Sequence, residues 1–385
     1  MAIDGRYAPT RPITCDKGPQ ASQQAIDFVQ CSYLGLDSHP LVVAGAIEAI
    51  EVQRSSHWSC ARKHLISNLL EQLEETLSEM FCVRAILSSS LLLANLGAIR
   101  ILASGRLTGG RKPIVVFDCL LHGSLVCYKS IVADETRVET IGHNDIGALE
   151  RLCRENPAVV YVCDDIYSQR GHSLLTELRQ LQERYGLFLH ISDAHGVSIF
   201  GRQGEGLARS QFPEMLGDRT CIAASLAEGF GASGGLLMLG TSAHEALFRQ
   251  FSTIEGFSEA PNLAAVGAAL GSCTIHRSEE LGERQRRLAQ RIRLFDDRLA
   301  TAEQGNSLPI RTITVGEEAD AIGAARRLLD SGFCTSVKIV PTLEGGTAGI
   351  RVAISSEHQA TDIERLCNGI LDAVVETTGK PYPLR

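Results

Sequence analysis

The sequence predicts an α/β protein with a mainly parallel sheet in a large domain and a smaller α/β domain at its C-terminus. Between about residues 82 and 240, short apolar runs alternate with helical segments, a pattern typical of parallel strands that are covered on both faces. The chain has 385 residues, of which 44% are hydrophobic and 21% charged, so it can bury a large core. Since no internal repeat or flexible linker interrupts the pattern, we expect a compact protein.

The first 50 residues predict an N-terminal arm and a helix. An extended entry at residues 28–36 is followed by HPLVVAGAIEAIE, which predicts an amphipathic helix. A second helix is expected at residues 67–80, where apolar residues recur at helical spacing behind the capping residue Ser67.

The large domain is expected at residues 51–265, and short apolar runs within it predict its strands. The candidate strands are residues 85–87, 114–117, 158–163, 187–191 and 222–226, with a helix at 174–185 among them. Residues 266–385 predict the small domain, which begins with one long charged helical region at 266–305 and ends in a helix near 363–374. In parallel sheets ligands bind beyond the carboxyl ends of the strands, so the residues just after each strand are the candidates for a site.

Charge and composition exclude several classes of partner. The net charge of -8 and the pI near 5.8 argue against nucleic acid or an anionic membrane, which both attract clustered Lys and Arg. No apolar run is long enough to span a membrane, and the N-terminus has no apolar signal core, so we expect a cytoplasmic protein. The 12 cysteines are scattered without metal-ligand spacing, and no metal is predicted. Small molecules or other proteins remain as partners.

Several short motifs occur in a recognisable order. Residues 221–235, CIAASLAEGFGASGG, form an extended run followed by a turn of small residues. The other motifs are DCLLHGS at 118–124, SQRG at 168–171, SDAHGV at 192–197, FSEAP at 257–261, VPT at 340–342 and GTAGIR at 346–351. Together they resemble the α-oxoamine synthases, which are pyridoxal-phosphate (PLP) enzymes that condense an amino acid with an acyl thioester. The resemblance covers nearly the whole chain and implies the PLP-dependent transferase fold of type I.

The chain departs from this family at four positions that the resemblance ties to the cofactor. Glu228 stands where the family has its Schiff-base lysine, and a carboxylate cannot form an imine. Ser192 replaces the aspartate that pairs with the pyridine nitrogen, and Glu259 replaces a threonine that the second subunit contributes to the phosphate. The turn that begins at Ser90 lacks the glycine that lets backbone N–H groups close on an anion. We therefore expect a degenerate PLP site and no cofactor.

The candidate catalytic residues are His122, Glu228, His195 and Asp193, all of which are expected near the strand ends. A structural alternative is that Asp193 and His195 only hydrogen-bond within their turn. Lys63 is a remote candidate for a displaced Schiff-base lysine.

The resemblance also implies three substrate-binding residues. They are Cys31 at a family asparagine, Arg351 at a position whose arginines include one that binds the amino-acid carboxylate, and Ser225 at the end of the extended run. An acyl-accepting cysteine assisted by His122 is a further possibility, against which a structural role for the cysteines stands as the alternative.

Three functions are consistent with these residues, and whether the chain is an enzyme stays open. The main interpretation is a PLP-independent acyl-transfer or condensation enzyme in a biosynthetic pathway. The first alternative is a catalytically silent partner of a lysine-bearing paralogue, similar to the lysine-less subunit of serine palmitoyltransferase. The second is a conventional PLP-dependent acyltransferase. In each case the fold implies a dimer, either a homodimer or a heterodimer with that paralogue.

Overall fold

The structure is a computed structural model that describes residues 3–4, 13–16, 22–64, 67–167, 171–212, 215–339 and 347–382. The chain divides into two compact units. The terminal unit comprises Met1–His39 and Gly282–Arg385, and the central unit comprises Pro40–Leu281. The domain limits expected at residues 50 and 265 stay a prediction. Three of the sequence motifs are affected by the gaps: residues 168–170, 340–342 and 346 lie outside the described residues.

The strands, in chain order, are β1 (Ile3–Asp4), β2 (Ile13–Asp16), β3 (Ser22–Asp27), β4 (Arg84–Ser88), β5 (Ile114–Asp118), β6 (Val138–Ile141), β7 (Val159–Asp164), β8 (Ile166–Tyr167), β9 (Gly171–His172), β10 (Phe188–Asp193), β11 (Thr220–Ser225), β12 (Gly235–Leu239), β13 (Ile310–Gly316), β14 (Phe333–Cys334), β15 (Ser336–Lys338) and β16 (Ala348–Ala353). The helices are α1 (Pro40–Gln53), α2 (Asn68–Phe81), α3 (Leu91–Ala103), α4 (Gly123–Val126), α5 (Lys129–Ala133), α6 (Ile146–Glu155), α7 (Leu175–Tyr185), α8 (Leu207–Ser210), α9 (Ser242–Phe251), α10 (Thr253–Phe257), α11 (Leu263–His276), α12 (Glu279–Asp296), α13 (Glu318–Asp330) and α14 (Ala360–Thr378). A 3-10 helix covers Leu36–Ser38.

The central unit is built on a seven-stranded sheet with the order β4-β12-β11-β10-β7-β5-β6. Neighbouring strands are parallel from β11 to β6, whereas β12 is antiparallel to both of its neighbours. The predicted fold class is therefore confirmed, and all five candidate strands are present. Reasoning from the sequence missed β6, whose residues are only partly buried, and β12, which begins directly after the glycine-rich turn.

The predicted helix at residues 67–80 is α2, and Ser67 caps it by accepting a hydrogen bond from Leu70 N at 3.0 Å. The helical region expected at 266–305 is present, and the structure divides it into two helices, α11 and α12. The boundary lies at residues 277–278, where α11 ends, and α12 then starts with Glu279 and Glu280. Acidic residues in a first turn favour a new helix N-terminus, because they complement its positive end.

The terminal unit contains two smaller sheets, β1-β2-β3-β14 and β13-β16-β15. Helices α13 and α14 pack on each other, and α13 also packs on β16. Buried side chains such as Ile313, Ile350, Leu328 and Leu366 form its apolar interior. This confirms the α/β character expected for the C-terminal part. Among the helices that the structure describes in both units, none has the length and apolar character of a membrane span.

Helices α1 and α11 of the central unit pack backbone to backbone. A Cβ atom built on Gly267 would overlap the carbonyl oxygen of Gly45 and the side chain of Ala49, and one on Gly271 would overlap the carbonyl oxygen of Leu41. Only glycine allows such an approach between two helices. The glycines in these two helices therefore fix their separation.

We expect Gly267→Ala to destabilise the protein, because the added methyl group meets backbone that cannot move aside. Overpacking of this kind costs about 1–3 kcal/mol, so the melting temperature measured by differential scanning calorimetry should fall. Gly282→Ala is the matched control, since a Cβ at that helical position meets only the end of the Arg286 side chain at 3.4 Å. Equal melting temperatures for the two variants would contradict the close packing of α1 and α11.

Candidate active site

Acidic and hydroxyl side chains end the parallel strands at one edge of the central sheet. Asp118 ends β5, Asp164 ends β7, Asp193 ends β10 and Ser225 ends β11. All four residues are buried. Because neighbouring parallel strands terminate on the same side, these groups share the edge at which ligands bind in such sheets.

His122 is held above this edge by Asp164. The backbone N–H of His122 donates to Asp164 Oδ2 at 2.8 Å. His122 precedes α4, and its Nδ1 lies 2.8 Å from Ser124 Oγ. Its side chain is exposed, so one face of the imidazole ring can contact a ligand.

Asp164 is a buried carboxylate beside Ser192. The two residues are register partners on β7 and β10, and the Ser192 side chain hydrogen-bonds to the Asp164 carboxylate. Burial raises the pKa of Asp164 to about 7, and the negative charge of Asp118 adds to the shift, whereas the hydrogen bonds from His122 N–H and Ser192 oppose it. Asp164 can therefore gain or lose a proton near neutral pH.

Asp193 organises the turn that follows β10. Its Oδ1 accepts from Gly196 N at 2.7 Å and its Oδ2 accepts from Ala208 N at 3.2 Å. Burial raises the pKa of Asp193 to about 6, although these backbone donors oppose the shift. This geometry matches the structural alternative for Asp193, and its catalytic role stays a prediction. His195 lies half-buried in the same turn, with its catalytic role likewise untested.

Asp165, directly after β7, faces Asp193. It is 1% exposed, and neither of its carboxylate oxygens has a hydrogen-bond partner of ordinary geometry. Burial, followed by the charge of Asp193, raises the pKa of Asp165 well above its usual value. Ionising both of two adjacent buried carboxyl groups costs electrostatic free energy, because their negative charges repel each other. The pair therefore retains a proton over part of the neutral pH range.

Glu228 lies in the turn after β11, and its side chain hydrogen-bonds to Ser225. Its Oε2 atom is buried without a hydrogen-bond partner. Burial raises the pKa of Glu228, and the hydrogen bond from Ser225 opposes the shift. Ser225 Oγ also accepts from Ala227 N at 3.2 Å. The turn thus offers a carboxyl oxygen that can hold or release a proton.

The remaining predicted cofactor positions lie on two loops of the central unit. Ser90 caps α3, where its hydroxyl accepts from Leu93 N at 3.3 Å. Glu259 is exposed, and its carbonyl oxygen accepts from Ser89 Oγ at 2.7 Å. An isolated bridge pairs Glu259 with Ala61. The loop that carries Glu259 therefore runs beside the start of α3.

Buried ion pairs hold the residue 56–64 segment in place. Arg62 is 2% exposed and donates to the carbonyl oxygen of Leu87 and, at 2.6 Å, to Glu74 Oε1. Its guanidinium also lies 3.3 Å from Glu255 Oε1, and Arg249 reaches Glu74 Oε2 at 2.9 Å. Lys63, the alternative imine lysine, is exposed beside this network.

Cys31 and Arg351 belong to the terminal unit. Arg351 Nη2 lies 3.4 Å from Cys31 Sγ, so the structure brings these two predicted substrate-binding residues together. Arg351 is on β16, opposite Thr312 of β13 and Ser336 of β15. Their role in substrate binding stays a prediction.

Reasoning from the sequence missed Asp164, Asp165 and the network around Asp118. Asp118 accepts hydrogen bonds from Tyr161 Oη at 2.8 Å and Leu120 N at 2.8 Å, and His143 Nδ1 lies 3.1 Å from its Oδ2. The signal for the first two was the pair of acidic residues at the end of a candidate strand. Among the described residues, no group of three or more His, Cys, Asp or Glu side chains is arranged to hold a metal ion.

Comparisons with known proteins identify the family. The family model of aminotransferase class I and II matches residues 136–370. The 8-amino-7-oxononanoate synthase of Geobacter sulfurreducens is 31% identical over 375 residues, which cover 94% of this chain and 92% of that protein. The chain belongs to the α-oxoamine synthases. A second 8-amino-7-oxononanoate synthase, from a Marinomonas species, is 29% identical over 94% of this chain and 90% of its own length.

Solved structures agree with this α-oxoamine synthase fold. A serine palmitoyltransferase with PLP superposes with a TM-score of 0.84 at 22% identity, covering 98% of this chain and 93% of that one. The serine palmitoyltransferase of Sphingomonas wittichii gives a TM-score of 0.85 at 21% identity, over 99% and 94% of the two chains. The expected transferase fold of type I is thereby confirmed.

The comparisons also overturn one expectation. The sequence led us to predict that this α-oxoamine synthase has no cofactor, and that prediction is wrong, because its homologues point to PLP. The error came from treating four changed positions, at residues 192, 228 and 259 and in the turn that begins at Ser90, as the loss of the whole binding site. Ring stacking, hydrogen bonds and charge can hold an aromatic phosphate without a covalent bond.

We expect Asp165→Asn to stabilise the protein more at pH 8 than at pH 5. The raised pKa means that the folded state binds the Asp165 proton more tightly than the unfolded state does, so the contribution of this group to stability falls as the pH rises above about 4. The asparagine amide does not ionise, so the variant does not lose this stability as the pH rises. Thermal melts should therefore show a difference between variant and wild type that grows from pH 5 to pH 8.

Asp134→Asn provides the control, because Asp134 is an exposed aspartate on the same unit. It should leave the melting temperature nearly unchanged at both pH values. A stabilisation by Asp165→Asn that is the same at pH 5 and pH 8 would show that the buried carboxyl does not titrate as described.

Proposed function

We propose that this chain is a PLP-dependent acyltransferase of the α-oxoamine synthase type, which condenses an acyl thioester with an amino acid in a biosynthetic pathway. The observation that carries the proposal is the 31% identity to an 8-amino-7-oxononanoate synthase over 94% of the chain. The location that we propose is cytoplasmic. The polar strand-end edge of the central unit supplies the groups that such a reaction needs.

The residues at this edge fit PLP as a non-covalent ligand. The exposed ring of His122 offers a stacking face. The Ser192 hydroxyl, backed by Asp164, suits a polar ring atom. Ser225 and the N-terminus of α3 behind Ser90 offer a hydroxyl and a positive helix end to a phosphate.

PLP, when bound, withdraws electrons from the bonds of the amino-acid α-carbon. The chain itself supplies orientation and proton transfer. His122 would stack on one face of the ring, and the hydrogen bond from its N–H to Asp164 fixes the backbone that presents it. Glu228 Oε2, which is buried and has no hydrogen-bond partner, is placed to accept or return a proton.

Glu228 also sets this chain apart from relatives that attach the cofactor through a lysine. A carboxylate forms no imine, so we propose that PLP exchanges freely in the wild-type protein. Burial raises the pKa of Glu228 and so favours its neutral form, and a neutral carboxyl repels a phosphate-bearing ligand less than a carboxylate does.

The first experiment traps bound PLP with borohydride and maps it by mass spectrometry. In the wild type we expect one PLP per chain in equilibrium dialysis, no pyridoxyl group on any lysine after reduction, and loss of PLP on gel filtration. In E228K we expect the reduced cofactor on residue 228, because the new amine stands where an imine can form.

Ala227→Lys is the matched control, since the neighbouring residue Ala227 is exposed. It should gain no pyridoxyl group. A wild-type chain that is labelled at Lys63 or another lysine would contradict the assignment of Glu228. Free-thiol release from a panel of acyl-CoA and amino-acid pairs, measured with PLP present, then tests the condensation itself, and no release with any pair would contradict the catalytic proposal.

A second function, that of a silent partner subunit, is favoured by Glu228 alone. In that case the chain would pair with a lysine-bearing paralogue rather than with itself. Either assembly needs an apolar interface, and α1 exposes Val43, Ile47 and Ile50 at helical spacing. Phe257, at the end of α10, is 90% exposed.

We expect the purified chain to form a homodimer that Ile47→Asp weakens, because a charge is placed in an apolar contact. Light scattering coupled to gel filtration measures the mass. Glu51→Ala, an exposed position on the same helix, should leave the dimer intact. A monomer that dimerises only with a co-purified paralogue would favour the silent partner.

A further inference from the structure

Asp164 is a buried acid that has no cationic partner among the described residues. The residue is 8% exposed, and among the described residues no Lys, Arg or His side chain forms an ion pair with it. Its carboxylate instead accepts from the backbone N–H of His122 and from the Ser192 hydroxyl. An isolated buried carboxylate is costly, so a positive partner that arrives with a ligand would stabilise the site.

Ser192 is the only side chain that links Asp164 to the neighbouring strand among the contacts of the described residues. It is 5% exposed and is held opposite Asp164 by the parallel register of β7 and β10. Because both strands are buried and paired in a fixed register, the two side chains have little freedom to move apart. The contact between hydroxyl and carboxylate is therefore a fixed feature of the edge.

A serine hydroxyl has one hydrogen to donate and two lone pairs with which to accept. The Asp164 carboxylate can only accept while it is ionised, so in that state the Ser192 hydroxyl is the donor of the hydrogen bond between them. The free lone pairs of Ser192 Oγ can then accept from one further donor. A protonated aromatic nitrogen is such a donor, and it brings the positive charge that Asp164 lacks.

We propose that Asp164 is a positioning residue that acts through the Ser192 hydroxyl on the protonated ring nitrogen of the bound cofactor. The chain of hydrogen bonds runs from the ring N–H to Ser192 Oγ, and from the Ser192 O–H to the Asp164 carboxylate. The inference rests on the proposed PLP-dependent function and adds a residue that the sequence motifs did not indicate. The Ser192 hydroxyl and the Asp164 carboxylate together thus take the place of the single aspartate that the family has at the ring nitrogen.

Two ligands that differ only at the ring nitrogen test this pair. They are PLP and its analogue with a CH group in place of that nitrogen, and their dissociation constants are measured by equilibrium dialysis. We expect D164N and S192A each to raise the dissociation constant of PLP about tenfold and to leave that of the analogue unchanged. The two substitutions combined should cost no more than either one, because they remove the same interaction.

D164N retains a side-chain oxygen that can accept from His122 N, so the variant is expected to fold. Ser173→Ala is the control, since the buried Ser173 donates to the backbone carbonyl oxygen of Asp164, at 2.8 Å, rather than to its carboxylate. It should bind PLP and the analogue in the wild-type ratio. The double substitution S192D/D164N, which moves the carboxylate to residue 192, should restore tight PLP binding.

The outcomes separate this inference from the proposed function. Suppose that the wild type binds PLP, and that D164N and S192A weaken the binding of PLP and of the analogue equally or weaken neither. This result overturns the hydroxyl–carboxylate pair and leaves the proposed function standing. A wild type that binds neither ligand overturns both. The nitrogen resonance of 15N-labelled PLP gives a second readout: it should report a protonated ring in the wild type and an unprotonated ring in D164N.

Discussion

The parallel pairing of β7 with β10 is the constraint on which the candidate site depends. It sets Asp164 opposite Ser192 and brings Asp165 next to Asp193 one residue further on. Each of these carboxyl groups loses hydration, and each pKa rises as a consequence. A chain that only needed a stable sheet would end these strands in apolar or amide side chains. Buried acids with raised pKa values at one sheet edge are therefore candidates for a ligand site.

A different ionic network supports the loop that faces this edge. Arg62 lies at the centre of the residue 56–64 segment, and it is anchored to Glu74 on α2 and to Glu255 on α10. Buried ion pairs of this kind add little net stability, but they allow one arrangement and penalise others. The central arginine therefore fixes the path of the segment through its ion pairs and its bond to the carbonyl oxygen of Leu87. Trp58 and Lys63 remain at the periphery of the network.

The sequence predicted five of the seven strands of the central sheet, because each of those five is a short apolar run. It predicted Glu228 and Ser192 as unusual positions because a family motif surrounds both. Asp164 was missed for a physical reason: its partner Ser192 is 28 positions away, and only the register of two strands brings them together. The split between α11 and α12 was missed since both segments carry helical periodicity. The roles of His195, Cys31 and Arg351 depend on a ligand and on contacts that no local pattern encodes.

The substitutions at residues 192 and 228 form a consistent set once Asp164 is considered. Ser192 is neutral, but it hydrogen-bonds to the buried carboxyl group of Asp164, which in the proposed arrangement would lie one hydrogen bond further from the ring nitrogen. Glu228 cannot bond covalently to an aldehyde, yet its unpartnered Oε2 offers a proton site at the end of β11. A pocket that had lost its ligand would gain stability by replacing such buried polar atoms with apolar ones. The buried polar atoms of Ser192, Glu228 and Asp193 therefore support the proposed cofactor, because its positive and polar atoms would offset their cost.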